Sequence, residues 1–112
     1  MGKNSHIFFE LRQYRTLPGK REAWVAFMEE VIIPFQVSKG MVIVGSFVGQ
    51  EEDDLYIWIR RFASEEERVA LYKAVYESDF WKNEVAPKVG ELLDRPRMVI
   101  TRIEATPKSV IQ

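Results

Sequence analysis

Residues 7–35 read IFFELRQYRTLPGKREAWVAFMEEVIIPF, and this stretch decides the fold. Its first part, Ile7 to Arg15, alternates in character as a β-strand does, with Phe9 and Leu11 on one face. The opposite face carries charge and an aromatic ring, supplied by Glu10, Arg12 and Tyr14. After a Leu-Pro-Gly turn, apolar residues recur at spacings of three and four as far as Phe35. The stretch therefore predicts a strand, a turn and an amphipathic helix.

Prolines and glycines set the expected limits of this helix. Pro18 suits a first helical turn, because its missing N–H would be unpaired there anyway. Pro34 removes a backbone donor and crowds the preceding turn, so we expect a kink or the end of the regular helix near Ile33. Gly40 predicts the final stop.

The rest of the chain continues with a hairpin, a second helix and a last strand. A β-branched run at 41–48, with Gly45 as an expected bulge, is followed by an acidic loop and an alternating run at 55–62. Ser64 and Glu67 form a capping box that starts a helical segment, and Pro87 interrupts that segment. A strand is predicted at 97–105. The order β-α-β-β-α-β predicts an α+β, ferredoxin-like fold: an antiparallel four-stranded sheet with its helices on one face.

The length and composition exclude several classes of protein. A chain of 112 residues forms one domain, which we place at 7–106, between a disordered or tag-like segment at 1–6 and a tail at 107–112. A net charge of −1 with interspersed signs argues against nucleic acid as a partner, and against an anionic membrane. No apolar run approaches the roughly 20 residues of a membrane span. The polar start does not resemble a secretion signal, so we expect a cytoplasmic location.

The scarcity of cysteine and histidine limits the chemistry. The chain has no cysteine, which excludes disulfides, thiol catalysis and thiolate metal sites. Its only histidine, His6, lies near the terminus, which removes an internal haem ligand, a histidine metal cluster and a histidine general base. We therefore expect no metal and no cofactor.

Helices on one face leave the other face of the sheet uncovered. We expect the helices to pack against the face of Phe9 and Leu11, which leaves large apolar side chains on the opposite face: Phe8, Tyr14, Tyr56, Trp58 and some of Val42, Val44, Met98 and Ile100. Burying one aromatic side chain contributes about 1.5–3 kcal/mol. Monomeric proteins rarely expose so large an apolar patch to solvent, so we expect a homodimer that closes two sheets into a barrel.

Several short motifs resemble those of the NIPSNAP family. The opening "ELRQY" at 10–14 followed by "PGK" at 18–20 resembles the "ELRxY" strand and "PGK" turn of that family. The resemblance continues through Trp58-Ile59-Arg60-Arg61-Phe62 and Asp79-Phe80-Trp81, although Phe80 stands where proline is usual and Phe62 replaces a tyrosine. It implies a dimeric α+β barrel, a bacterial origin for a short single-domain member, and no settled biochemical activity.

Two groups of side chains are candidates for a ligand site. On the two central strands, an arginine beside aromatic rings is suited to grip the carboxylate or enolate of a small aromatic or acyl molecule; this group is Glu10, Arg12, Tyr14, Trp58 and Arg60. A second group, Trp24, Tyr72 and Trp81, is placed to rim a pocket between helices and sheet. The alternatives are a structural ion-pair network at the dimer interface for the first group and ordinary core packing for the second.

Two classes of function stay open on the sequence. The first is a dimeric module that binds a small molecule or a partner without turnover. The second is an enzyme that needs little or no cofactor, a monooxygenase or isomerase acting on a small aromatic or acyl substrate. In the second case Tyr14, Arg12 or Glu10 would polarise the substrate. No catalytic motif decides between the two classes.

Overall fold

The computed structural model describes residues 6–112, and its elements follow the predicted order. The sheet is antiparallel with strand order β2-β3-β1-β4, and its strands are β1 (Phe8–Arg15), β2 (Val42–Val48), β3 (Leu55–Phe62) and β4 (Val99–Ile103). The central pair is β1 and β3, as expected. The α+β ferredoxin-like fold is thus confirmed, whereas β4 is shorter than the predicted strand. The segment expected to be disordered or tag-like lies outside the described residues, apart from the exposed His6.

The helices lie on one face of the sheet and differ from the prediction where they contain proline. The first crossover consists of α1 (Arg21–Phe27), a π-helical turn (Met28–Ile32) and α2 (Ile33–Ser38). The second consists of α3 (Glu65–Tyr76), a π-helical turn (Trp81–Val85) and α4 (Ala86–Leu92). A short 3₁₀ turn, Arg95–Arg97, precedes β4. Pro18 lies in the turn before α1, not in its first helical turn.

Pro34 and Pro87 are each accommodated by a π-turn, so the helical segment does not end at either proline. The N–H of Ile33, the residue before Pro34, donates to the carbonyl of Met28, five residues back. In the same way Ala86, before Pro87, donates to Trp81. A proline lacks the donor for a regular helical bond and its ring crowds the preceding turn, and one wider turn relieves both problems. The expected break near Ile33 is therefore a π-turn inside a continuous helix.

The other boundary signals behave as predicted. Gly40 ends the first crossover with φ +108°, a conformation that glycine adopts without the penalty of a side chain. At Gly45 the pairing of β2 with β3 shifts register, which is the expected bulge. Ser64 caps α3 by accepting a hydrogen bond of 3.1 Å from the N–H of Glu67.

The assignment of the two sheet faces is wrong, and this is the main correction. Tyr56 is 0% exposed and Trp58 is 2% exposed, and both pack against the helices of their own chain together with Tyr14. Phe8 is buried in the second core cluster, beside Phe62 and Val75. The face that carries Glu10 and Arg60 therefore points to the helices, and the face of Leu11, Ile57 and Ile59 is the open one.

The open face is apolar, and part of it is covered by the end of the chain. Phe9 is only 4% exposed although it points away from the helices, and tail residues border the same hollow in the sheet face: Glu104, Ala105, Thr106, Ser109 and Ile111. Arg61 Nε donates to the backbone oxygen of Gln112 at 2.8 Å, which ties the tail to β3. Away from the tail the face keeps exposed apolar side chains, including Phe47 and Val99.

Within residues 6–112, no helix combines the length and apolar character that crossing a membrane requires. In the same range no group of three or more histidine, aspartate and glutamate side chains is placed to share a metal ion.

Candidate functional site

A buried ion-pair cluster lies between the sheet and α3. Arg60 is 0% exposed, and its Nη2 donates to Glu10 Oε1 at 2.6 Å and to the Tyr72 hydroxyl at 3.0 Å. Its Nη1 donates to Gln36 Oε1 and to the Tyr76 hydroxyl, both at 2.8 Å. The guanidinium carbon also lies 4.7 Å from the centre of a Trp58 ring. These contacts give both Nη nitrogens strong acceptors, and the buried Nε has no acceptor among the described residues. Because the whole side chain is closed off from solvent, we assign Arg60 a structural role.

Arg12 extends the cluster toward the interior between sheet and helices. Its Nη1 donates to Glu10 Oε1 at 3.1 Å and to the Tyr72 hydroxyl at 3.1 Å, and its Nε donates to the Tyr14 hydroxyl at 2.6 Å. The remaining nitrogen, Nη2, reaches the Met98 sulfur at 3.6 Å. A thioether is a weak acceptor, so one edge of this guanidinium has no strong partner among the described residues.

The protonation states follow from burial and from these contacts. Burial alone raises the pKa of Glu10, but Arg60, the Tyr72 hydroxyl and Arg12 outweigh it, and the pKa lies below its usual value. Burial raises the pKa of Tyr72 to about 12, against the effect of Arg60. It also raises the pKa of Tyr14, against the effect of Arg12. At neutral pH the cluster therefore holds the Glu10 carboxylate, two guanidinium groups and the neutral hydroxyls of Tyr14 and Tyr72, so one positive charge is unbalanced.

A cavity of about 310 Å³ adjoins the Arg12 side of the cluster. Small-molecule sites commonly occupy about 300–1,000 Å³ and combine apolar walls with a few polar groups. Among residues 6–112, the charged side chains on its lining are Arg12 and Arg95, and the rest are aromatic or apolar: Tyr14, Trp24, Met28, Ile32, Trp58, Tyr76, Trp81, Ala86, Val89, Leu93 and Met98. The cavity is thus an apolar, aromatic space with a guanidinium at its wall.

Two indole N–H groups at this cavity lack acceptors. Trp24 Nε1 and Trp58 Nε1 are buried and make no hydrogen bond among the described residues. A buried donor without a partner costs about 1–3 kcal/mol, so such groups are uncommon in folded proteins. Each of these two nitrogens is itself closed off from solvent, so neither reaches a molecule in the cavity without a side-chain movement. The group on the cavity wall that is suited to an oxyanion is therefore the guanidinium of Arg12, whose Nη2 has only the weak Met98 acceptor in the described part of the chain.

Both π-turns contribute to the cavity wall. Met28 and Ile32 belong to the first π-turn, and Trp81 belongs to the second. Single π-turns are often found at functional sites, because they displace side chains from regular helical spacing. Here the two turns lie on both crossovers, above the same part of the sheet.

The predicted site residues fall into one connected region. Glu10, Arg12, Arg60 and Tyr72 form the ion-pair cluster, while Tyr14, Trp24, Trp58 and Trp81 line the cavity. Tyr72 does not line the cavity but hydrogen-bonds to the arginines. The cluster lies inside one chain, so the expected network at the dimer interface is wrong in its location. The prediction missed Gln36, Tyr76 and Met98, although a glutamine and tyrosines on apolar helix faces signal buried polar partners.

The fold and the cavity define a small ferredoxin-like α+β protein with a polar cluster between its sheet and its helices. The family model described as NIPSNAP matches residues 9–106, and the chain belongs to the NIPSNAP family. None of the curated proteins matches it.

Solved structures of the same family share the architecture. A NIPSNAP family protein from Agrobacterium tumefaciens has 23% identity and a TM-score of 0.82, over 93% of this chain and 90% of that one. A second one from that organism, described as of unknown function, has 22% identity and a TM-score of 0.85, over 96% and 95%. A NIPSNAP-like domain protein from Burkholderia xenovorans has 18% identity and a TM-score of 0.83, over 93% and 89%. At these identities the likeness shows the fold alone.

Proposed function

We propose that the protein binds a small molecule with an apolar, preferably aromatic body and a single oxyanion head, held in the cavity at Arg12. One observation carries this proposal: Arg12, part of a cluster with one unbalanced positive charge, lies on the wall of an apolar cavity and offers an Nη2 edge without a strong acceptor among the described residues. A monoanion would balance the charge of the cluster, and its oxygens would accept from that edge.

The shape of the cavity supports an aromatic ligand. The rings of Tyr14 and Trp24 meet edge to face with centres 5.9 Å apart, and Tyr14 and Trp58 do so at 6.3 Å. Aromatic ligands gain from offset or edge-to-face packing against such rings, beyond the area they bury.

The cytoplasmic location expected from the sequence stays a prediction.

Binding is tested with a pair of ligands that differ only in charge. The probes are 4-phenylbutyrate and its uncharged amide, 4-phenylbutyramide. All three tryptophans of the chain line the cavity, so intrinsic fluorescence reports its occupancy. A charge-assisted hydrogen bond contributes about 1.5–3 kcal/mol, which predicts about a 10- to 150-fold preference for the carboxylate. Equal affinity for the acid and the amide, or no binding of either, contradicts the proposal.

Variants assign the preference to named groups. Arg12→Gln should remove the preference for the carboxylate, whereas Arg15→Gln, three residues along the same strand on its open face, should keep it. Trp24→Phe keeps an aromatic ring at the cavity wall and leaves Arg12 in place, so it should also keep the preference for the carboxylate. If Arg15→Gln and Arg12→Gln have the same effect, the site does not depend on Arg12.

The enzymatic alternative receives less support from the lining of the cavity. The guanidinium of Arg12 is suited to stabilise an enolate oxygen, as a monooxygenase or isomerase without a cofactor would require. A general base must also lie within hydrogen-bonding reach of the substrate. Among the described residues that line the cavity there is no carboxylate, histidine or lysine, and burial raises the pKa of Tyr14. Binding without turnover is therefore the better-supported function.

We also propose a homodimer formed by the open sheet face, in place of the face expected from the sequence. This face presents Leu11, Phe47, Ile57 and Val99, with uncharged Gln13 among them. An apolar surface of this extent is unusual for a monomer, and a face without charge at its centre can meet its own copy without repulsion. The partner is accordingly a second copy of the chain.

Sedimentation velocity at micromolar concentration tests the dimer. The wild-type protein should have the mass of two chains. Phe47 on the open face and Val69 on α3 are both 53% exposed, which makes them a matched pair. Phe47→Asp should give a monomer and Val69→Asp should remain a dimer. A wild-type mass of one chain, or equal behaviour of the two variants, would refute this interface.

A further inference from the structure

We propose that Met98 is a reversible oxidation site that regulates the cavity, because its sulfoxide oxygen would bind Arg12 in place of an anionic ligand. The inference rests on the proposed binding function and adds a way in which oxidation would regulate that binding. Its basis is the contact between Met98 Sδ and Arg12 Nη2, 3.6 Å apart, on the wall of the same cavity.

Met98 is the most accessible of the three methionines that the structure describes. Met28 is 0% exposed and Met41 is 3% exposed, whereas Met98 is only partly buried, where the chain leaves the Arg95–Arg97 turn. Oxidation of methionine depends on access of the oxidant to sulfur. Within residues 6–112, peroxide should therefore reach Met98 first.

Met41 provides an internal comparison. Its sulfur also meets a guanidinium, Arg60 Nη1, at 3.9 Å. That arginine is completely buried, however, and both of its Nη nitrogens already have strong acceptors: Gln36, Tyr76, Tyr72 and Glu10. Among the described methionines, Met98 alone combines partial exposure of the residue with a guanidinium edge that lacks a strong acceptor.

The chemistry needs a peroxide as oxidant. A sulfur lone pair attacks one oxygen of hydrogen peroxide, the O–O bond breaks, that oxygen stays on sulfur, and the other leaves as water. The weakly accepting thioether becomes a sulfoxide, whose oxygen accepts strongly from a guanidinium. The new oxygen then takes the Nη2 edge of Arg12 that the ligand would use. Methionine sulfoxide is reducible by dedicated reductases, so the change is reversible.

The experiment compares each protein with its own untreated sample after mild treatment with hydrogen peroxide. The proteins are the wild type, Met98→Leu and Met41→Leu, since leucine is close to methionine in volume and does not oxidise. Peptide mass spectrometry locates the added oxygen, and tryptophan fluorescence gives the affinity for 4-phenylbutyrate. Treatment should oxidise Met98 before Met28 and Met41. In the wild type and in Met41→Leu, treatment should weaken binding about tenfold or more, because the ligand loses its charge-assisted hydrogen bond to Arg12.

Affinity should stay constant on treatment of Met98→Leu. An equal loss in Met98→Leu, or oxidation of Met41 as fast as Met98, would overturn the inference. Thermal unfolding without any ligand tests the oxidation proposal separately, because it does not depend on phenylbutyrate binding. If the sulfoxide oxygen accepts a hydrogen bond from Arg12, the polar oxygen has a partner in the folded protein. Oxidation should then leave the wild-type melting temperature unchanged or raise it. If treatment lowers the wild-type melting temperature and leaves that of Met98→Leu unchanged, the sulfoxide does not bind Arg12, whether or not phenylbutyrate binds.

Discussion

Replacing Glu10 by glutamine tests whether the buried cluster holds the sheet to the helices. Glu10 Oε1 accepts from Arg60 at 2.6 Å and from Arg12 at 3.1 Å, and its side chain is 4% exposed. Glu10→Gln keeps the shape but leaves two buried guanidinium groups without a counter-ion. Removing one partner of a buried ion pair costs about 3–5 kcal/mol. At about 4 °C per kcal/mol for a domain of this size, the melting temperature should fall by about 12–20 °C.

Glu65 offers a control with the same number of arginine partners. It pairs with Arg68 at 2.6 Å and Arg102 at 2.8 Å, but its side chain is 51% exposed. Because exposed ion pairs contribute little to stability, Glu65→Gln should lower the melting temperature far less. Circular dichroism during heating and in urea measures both variants. If the two substitutions lower stability equally, the cluster at Glu10 does not hold the fold together and the reasoning fails.

The same carboxyl predicts how stability depends on pH. The pKa of Glu10 in the folded protein lies below its ordinary value of 4.5. A carboxyl with a lowered pKa stabilises the fold above the pKa it has when unfolded, and this contribution is lost as pH falls through the folded pKa. The stability difference between wild type and Glu10→Gln should therefore shrink below about pH 4.5. Arg68 and Arg102 lower the pKa of Glu65 to about 2. Because Glu65 titrates in the wild type and in Glu10→Gln alike, its contribution cancels from the stability difference between them.

Three further substitutions have expected costs that urea midpoints at unchanged slope can check. Gly40→Ala places a side chain at φ +108°, so it should cost about 1–2 kcal/mol, and a neutral effect would mean that the backbone there relaxes. Gln36→Leu removes the acceptor of one Arg60 hydrogen bond at 2.8 Å and should cost about 1–3 kcal/mol. A stabilising effect would show that the amide is dispensable. Ser64→Ala removes the cap that accepts from Glu67 and should cost about 1 kcal/mol, unless water replaces it fully.

The topology and most boundary signals were accessible from the sequence, because local rules determine them. The alternation of β1 and β3, the Ser64 cap, the stop at Gly40 and the bulge at Gly45 each depend on a few neighbouring residues. The split β-α-β order then places β1 beside β3, so the site-bearing strands were correctly paired. What these rules do not set is which face of the sheet the helices cover.

The face assignment failed because charge was taken as a sign of exposure. Glu10, Arg12 and Arg60 lie together inside the chain, and the carboxylate of Glu10 lowers the cost of burying both arginines. The residues that indicate which sheet face the helices cover lie on the helices and not on the strands. Gln36 and Tyr76 carry polar groups on the inner sides of their helices, where a purely apolar sheet face would leave them unsatisfied.

The cavity depends on features that come from two separate parts of the sequence. The strands supply the charge, through one carboxylate that faces two guanidinium groups. The crossovers supply the space, since Pro34 and Pro87 each force a π-turn and both π-turns contribute to the cavity wall. A cluster with an unbalanced charge would be costly beside a packed apolar wall, and an apolar cavity without donors would serve no polar ligand. Their coincidence at Arg12, whose Nη2 has only a thioether as acceptor among the residues described, is what an oxyanion ligand accounts for and apolar core packing does not.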